Sequence, residues 1–146
     1  MKTVYKRVDS ITEFIDSIRI RVDVFIIEQK CKPGWEPDSE DKASDHYIAV
    51  VDKEVVATAR VRKSKNKEFK IERMAIKKEF RNKGIGSGLV MYILKQINKL
   101  KPRRIWIQVQ LQAKEFYEKC GFKVTSKPYD LWDLGIPHLD MEYKLR

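Results

Sequence analysis

Apolar residues at Ile11, Phe14, Ile15, Ile18, Val22 and Phe25 recur every three or four positions, which puts them on one face of a helix. Ser10-Ile11-Thr12-Glu13 has the Ser-x-x-Glu form of a capping box, so this helix is expected to start there and to pack against a sheet. The modest alternation of Thr3 to Val8 predicts a first strand, and the run Phe25-Ile26-Ile27 is expected to be buried. From Lys30 to Ser44, Pro33, Gly34 and Pro37 among acidic residues mark a loop with room for a short helix. His46 to Val51, Glu54 to Val61 and Glu68 to Ile76 are strand-like runs joined by short polar turns, which predicts an antiparallel meander. A helix from Lys83 to Leu100 follows, with Ile85, Leu89, Ile93, Ile97 and Leu100 facing the core and Lys99, Lys101 and Pro102 at its end. Arg104 to Gln110 reads as a fifth strand and Gln112 to Cys120 as a short helix closed by Gly121. Strands at Phe122 to Ser126 and His138 to Leu145 complete the pattern.

Alternating strands and helices over 146 residues, 42% of them hydrophobic, predict one α/β domain spanning 1–146. No stretch reaches the roughly 18 apolar residues that cross a bilayer, and Met1 to Arg7 lacks the apolar core of a signal peptide, so a cytoplasmic protein with no membrane partner is expected. Cys31, Cys120, His46 and His138 are scattered without metal-ligand spacing, so no metal is expected, and both thiols read as buried rather than nucleophilic.

The net charge of +10 is unevenly placed. Residues 77 to 104 hold nine Lys or Arg against the single acid Glu79, whereas residues 36 to 45 hold five acids against Lys42. Such a split suits a polyanionic ligand at one end and a cationic acceptor at the other, the alternative for the acidic loop being a solvated surface. At the centre of the basic segment stands Arg81-Asn82-Lys83-Gly84-Ile85-Gly86, joining a predicted strand to a predicted helix. Two glycines two apart let consecutive amides point into one concavity at a helix start, where an anion is favoured. Gly84-Ile85-Gly86-Ser87-Gly88 has neither the spacing of a dinucleotide fingerprint nor the Gly-Lys-Ser/Thr of a Walker A loop.

The pattern Arg-x-x-Gly-x-Gly, with Glu72-Arg73-Met74-Ala75-Ile76 before it, resembles the acyl-coenzyme A loop of the GNAT N-acetyltransferases. Ala113 to Phe122 is similar to the A-x-x-F-Y-E-K-x-G-F segment after that family's fifth strand. Arg21 to Gln29 and Gly135-Ile136-Pro137-His138 resemble a small bacterial subgroup described as ElaA-like. The resemblance implies the GNAT fold: a mixed, mostly antiparallel sheet splayed between its fourth and fifth strands, with helices on both faces. It implies acetyl-coenzyme A as cofactor and a primary amine of a small molecule or peptide as acceptor, in a monomer or homodimer.

Carried over residue by residue, the resemblance gives Met74, Ala75 and Ile76 the strand edge that receives the pantetheine. It gives Arg81, Asn82, Lys83, Gly84, Ile85, Gly86 and Ser87 the pyrophosphate, Arg81 and Lys83 adding charge at the rim, although Lys83 could equally lie in solvent. Gln110 stands where many members place an Asn, so that contact with the cofactor arm reaches one methylene further. An amide near Met74 or Ala75 would polarise the thioester carbonyl. Tyr117 takes the position facing the sulfur, where a phenol can donate to a departing thiolate; outside the motif it would read as core. The acceptor amine must lose a proton, and strand alternation puts Glu72 on the face of Met74 as the first candidate base, an ion pair with nearby cations being the alternative. Glu28, Gln29, Trp35 and His138 are candidates for the acceptor pocket, with His138 either a base or a structural donor and Trp132 a second aromatic wall. The competing readings are a nucleic-acid-binding module using the 77–104 surface and a non-catalytic acyl-coenzyme A sensor. Against the module, no exposed aromatics interleave the basic residues, so no nucleic acid is expected as partner.

Overall fold

The computed structural model describes residues 2–133 and 135–145. Strand β1 (Thr3–Arg7) leads into α1 (Ile11–Arg21), whose N-cap Ser10 accepts from the Glu13 amide while Glu13 accepts from the Asp9 amide. The helix then widens into a π-helical stretch, Val22–Glu28, in which the Gln29 amide reaches back five residues to the Val24 carbonyl (2.9 Å). The extra residue per turn rotates the chain, so Ile27 is exposed and Phe25 and Ile26 only half-buried, against the expectation of a buried run. One 3-10 turn, Asp41–Ala43, interrupts the following loop.

The meander is β2 (Asp45–Val51), β3 (Glu54–Lys63) and β4 (Glu68–Ile76), followed by α2 (Ile85–Asn98), β5 (Arg104–Gln110) and α3 (Lys114–Lys119). Strands β6 (Phe122–Val124) and β8 (Pro137–Tyr143) were expected at greater length, and between them lies the unforeseen two-residue β7 (Tyr129–Asp130). The sheet order is β1-β2-β3-β4-β5-β8-β6, with β7 against β8. Among the described residues only β4 and β5 run parallel, and every other pair is antiparallel.

On one face, α2 lays Leu89, Val90, Ile93, Leu94 and Ile97 on Phe69, Ile71, Ile105 and Ile107. Each such fully buried side chain contributes about 1.5–3 kcal/mol, which makes this layer the main source of stability. On the other, Ile20 and Val24 pack on Ile48, Val55 and Ala75. Among the described residues no helix is long and apolar enough to cross a membrane.

The sheet opens at one place. β4 and β5 pair from Glu68 and Arg104 only as far as Ile71 and Ile107, although β4 continues to pair with β3, and β5 with β8. The cause lies in β4: Arg73 takes φ +57, and the register against β3 shifts there, a bulge that bends a strand and increases its twist. The same extra residue overturns the expected alternation. Glu72 lies opposite Arg60 on the face of the charged residues, whereas Met74 packs with the α2 core. The two therefore do not share a face.

Candidate active site

The glycine loop turns through left-handed backbone into the start of α2. Asn82 (φ +61) and Gly84 (φ +80) lie in the left-handed region, and α2 begins at Ile85 rather than Lys83. The Arg81 amide bonds to Lys78 and the Gly88 amide to Gly84, but among the described residues the amides of Asn82 to Ser87 donate to no partner. Six consecutive donors are therefore available at a helix N-terminus. Gly86 contributes through its size instead, because a Cβ there would lie 2.7 Å from Ile76 Cδ1 and 3.3 Å from Phe116 Cζ. Its bare Cα seats the helix start against the end of β4 and against α3, beside the splay.

Arg81 is less a rim charge than a strut. Its guanidinium holds the Glu28 carboxylate through two bonds (2.7 and 2.8 Å) and its Nε donates to the Ile76 carbonyl (3.0 Å). The hydrogen bonds from Arg81 lower the Glu28 pKa, and Glu28, a candidate for the acceptor pocket, does not line the cavity that opens between β4 and β5. Lys83 is exposed, its ammonium 5.8 Å above the Phe80 ring.

Where β4 and β5 part, a cavity of about 420 Å³ opens. The structure brings Gln29, Trp35, Glu72, Met74, Gln110, Tyr117 and His138 together on its wall. Tyr117 is buried, edge-on to Phe116 (4.9 Å) and Phe122 (5.8 Å), and burial raises its pKa. It thus stays a neutral donor, and among the described residues its hydroxyl makes no hydrogen bond. His138 Nδ1 lies 2.8 Å from the Ile136 carbonyl. A carbonyl only accepts, so Nδ1 carries a proton in this contact and Nε2 is the ring nitrogen left to exchange one. Gln110 Oε1 accepts from Gln112 (2.8 Å) at the rim. Trp35 and Trp132 meet edge to face at 5.5 Å. Cys31 also lines the cavity and is half-exposed, contrary to the expectation of a buried thiol; Cys120 is buried, which raises its pKa.

The acidic loop is not an open anionic surface. Its Glu36 and Asp41 are buried against Arg21, and Arg60, also fully buried, bonds to Asp38 (2.5 Å), Asp41 (2.9 Å) and Glu72 (2.7 Å). Burial alone would raise the Asp41 carboxyl, but hydrogen bonds from Arg21, Arg60 and the Asp38 amide reverse this and hold it at about 2. Burial likewise opposes ionisation of Glu72, yet the Lys70 charge and the Arg60 guanidinium keep its pKa below the ordinary value. A carboxylate so held is a poor proton acceptor.

Sequence reasoning missed a hydrogen-bonded string that leads back from the cavity wall, which Lys70 and Gln108 line. Lys70 donates to Gln108 Oε1 (3.1 Å), Gln108 Nε2 to the Tyr129 hydroxyl (2.8 Å), and Tyr129 to Asp140 (2.5 Å). Its signal was Gln108 inside an otherwise apolar strand; the partners come from the register, which sets Gln108 opposite Asp140.

Comparison with known proteins agrees with this geometry. Residues 19–145 match the model of the acetyltransferase (GNAT) domain. The chain is 30% identical to the Bacillus subtilis uncharacterized N-acetyltransferase YjcF, over 86% of this chain and 89% of that protein. Escherichia coli ElaA superposes with a TM-score of 0.86 at 22% identity, over 98% of this chain and 100% of that one. A Bacillus subtilis acetyltransferase solved in complex with CoA gives 0.71 at 18% identity, over 99% and 100%. With the splayed sheet, the amide-lined loop and a family match over most of its length, this chain belongs to the GNAT acetyltransferases and is an acyltransferase.

Proposed function

We propose that the enzyme transfers the acetyl group of acetyl-coenzyme A to a primary amine of a small molecule or peptide, the amine attacking directly while both are bound. The observation that carries this reading is the run of six unused amides, Asn82 to Ser87, opening beside the gap between β4 and β5. Acetyl-coenzyme A supplies a thioester and a thiolate leaving group. The loop amides hold the diphosphate, and the open edge from Met74 to Ile76 offers backbone partners to the extended arm, with Gln110 across the gap.

The acceptor amine must be neutral to attack. At pH 7 an alkyl ammonium of pKa ~10.4 is mostly protonated, so a proton acceptor is needed. We assign this to His138 Nε2 rather than Glu72, whose oxygens are held by Arg60 and Lys70. Tyr117 donates a hydrogen bond toward the departing sulfur. A nucleic-acid role is disfavoured because Lys77, Arg81 and Arg104 of the basic segment are already paired with Glu54, Glu28 and Glu68.

The test is thiol release from acetyl-coenzyme A over a panel of amines, alongside calorimetric binding of coenzyme A. Binding without turnover on any amine would favour the sensor. Tyr117→Phe is expected to lower kcat about 10- to 100-fold with coenzyme A affinity within about twofold. His138→Gln is expected to lower kcat about 100-fold at pH 7, the loss shrinking as pH rises toward about 10 and solvent supplies neutral amine. A loss independent of pH would remove His138 as the base.

A further inference from the structure

The cavity wall formed by β3 and β4 carries an unbalanced pairing. Across the two strands Arg60 faces Glu72, but Arg62 faces Lys70. Two cations directly opposite on one face repel, and both line the cavity. Glu72 is shared among them: Oε1 lies 2.7 Å from Arg60 and 3.5 Å from Arg62, and Oε2 lies 3.2 Å from Lys70. The second counterion of Arg62 is Glu40, 3.3 Å away and 48% exposed. The other acids of the wall, Glu36 and Asp38, are engaged by Arg21, Arg60 and Arg73. The buried acids are thus engaged, Glu40 being the one exposed acid of the wall among the described residues, while donors remain. Of the three N–H groups of an ammonium, Lys70 directs two at Glu72 and Gln108, and among the described residues the Arg62 guanidinium makes no hydrogen bond.

The string behind Lys70 fixes this polarity. Asp140 accepts from Tyr129, so the Tyr129 oxygen is left to accept from Gln108, and Gln108 must turn its carbonyl oxygen to Lys70. Burial and the Asp140 hydrogen bond raise the Tyr129 phenol to about 12, so it remains a donor and the order does not reverse near neutral pH.

We propose that Arg62 and Lys70 form a carboxylate subsite of the acceptor pocket, so that the preferred acceptor carries a carboxylate on the same molecule as its primary amine. This subsite deepens the amine-acetylating reading of the cavity and rests on it. Lys70 and Met74 are four residues apart, at most about 13 Å along a regular strand and less across the bulge at Arg73, which suits an acceptor no longer than about a dipeptide. Trp35 and Trp132 offer an apolar wall to its middle. The expected attraction of a cationic acceptor to the acidic loop is largely cancelled, because Glu36, Asp38 and Asp41 are neutralised by Arg21, Arg60 and Arg73, and the more exposed Glu40 and Asp45 lie beside Arg62 and Arg7.

Quenching of tryptophan fluorescence by dipeptides and by their C-terminal amides, with coenzyme A saturating, reads the subsite without turnover. Dipeptides keep the amine remote from the group that changes. The acids are expected to bind about 10- to 100-fold tighter than the amides. Lys70→Gln is expected to remove most of that preference, raising KM for the acids in the thiol assay while leaving kcat and the amides little changed. Arg62→Gln serves the same purpose if Lys70→Gln lowers thermal stability. Equal binding of acid and amide by the unaltered enzyme, or equal loss of both in the variants, overturns the proposal. Acid preference without acetyl transfer to any amine leaves the subsite standing and sinks the transferase reading.

Discussion

Replacing Gly84 by valine is expected to weaken coenzyme A binding at least about 100-fold while leaving the fold intact. Space is not the reason, since a Cβ on Gly84 meets nothing within 4 Å. The backbone is: φ of +80 costs an L residue roughly 1–2 kcal/mol, more for a β-branched one, and the loop relieves this by turning its peptide planes. Charge-assisted hydrogen bonds contribute about 1.5–3 kcal/mol each, so misaiming two of the six amides is enough for a 100-fold loss. Because the loop is exposed at Asn82 to Gly84, the melting temperature should fall by no more than a few degrees. Gly84→Asn is the matched control, because asparagine tolerates the left-handed region and should keep affinity within a few fold. Calorimetric titration of coenzyme A into the three proteins decides the matter; unchanged affinity in the valine variant would mean that the diphosphate is held elsewhere.

What the sequence made legible is what short stretches of chain encode. The capping box at Ser10, the stripe of α2 and the glycine loop depend on neighbours within a few residues, and they stand where their spacing placed them, except that α2 ends at Asn98 and leaves Leu100 exposed. The splay was carried by resemblance to a family, and its local cause was not visible, because Arg73 is a residue type that gives no warning of φ +57. That single bulge undid the alternation by which Glu72 was placed beside Met74. Ile27 went astray for a similar reason, the helix period changing where no glycine or proline marks it. The charged interior is the larger omission. Arg21 lies on α1 and Arg60 in β3, and their partners in the acidic run stand 15 to 22 positions away, so the run was visible but its destination was not.

Arg60→Met is expected to lose about 3–5 kcal/mol of stability at pH 7, because removing one partner leaves buried carboxylates short of a counter-charge. Arg60 is 1% exposed and its guanidinium serves Asp38, Asp41 and Glu72 at once, so neither water nor a neighbouring side chain can take its place without rearranging the wall. In a chain of this length that loss lowers the melting temperature by roughly 10 °C. The pH dependence identifies the cause. Asp41 is held at about 2 in the folded protein, below its value of ~3.9 in an unfolded chain. Its ionisation therefore supports the fold fully above about pH 4, and this support is lost as the pH falls toward 2. Without Arg60 the folded-state pKa of Asp41 rises toward the unfolded one, so less is lost on acidification. The deficit of the variant should be largest from pH 5 to 7 and shrink between pH 4 and 2, when measured by urea unfolding at each pH. A deficit that stays constant to pH 2.5 would assign the loss to the missing side-chain volume, and one below about 1 kcal/mol at pH 7 would show that the acids of the loop can be solvated where they stand.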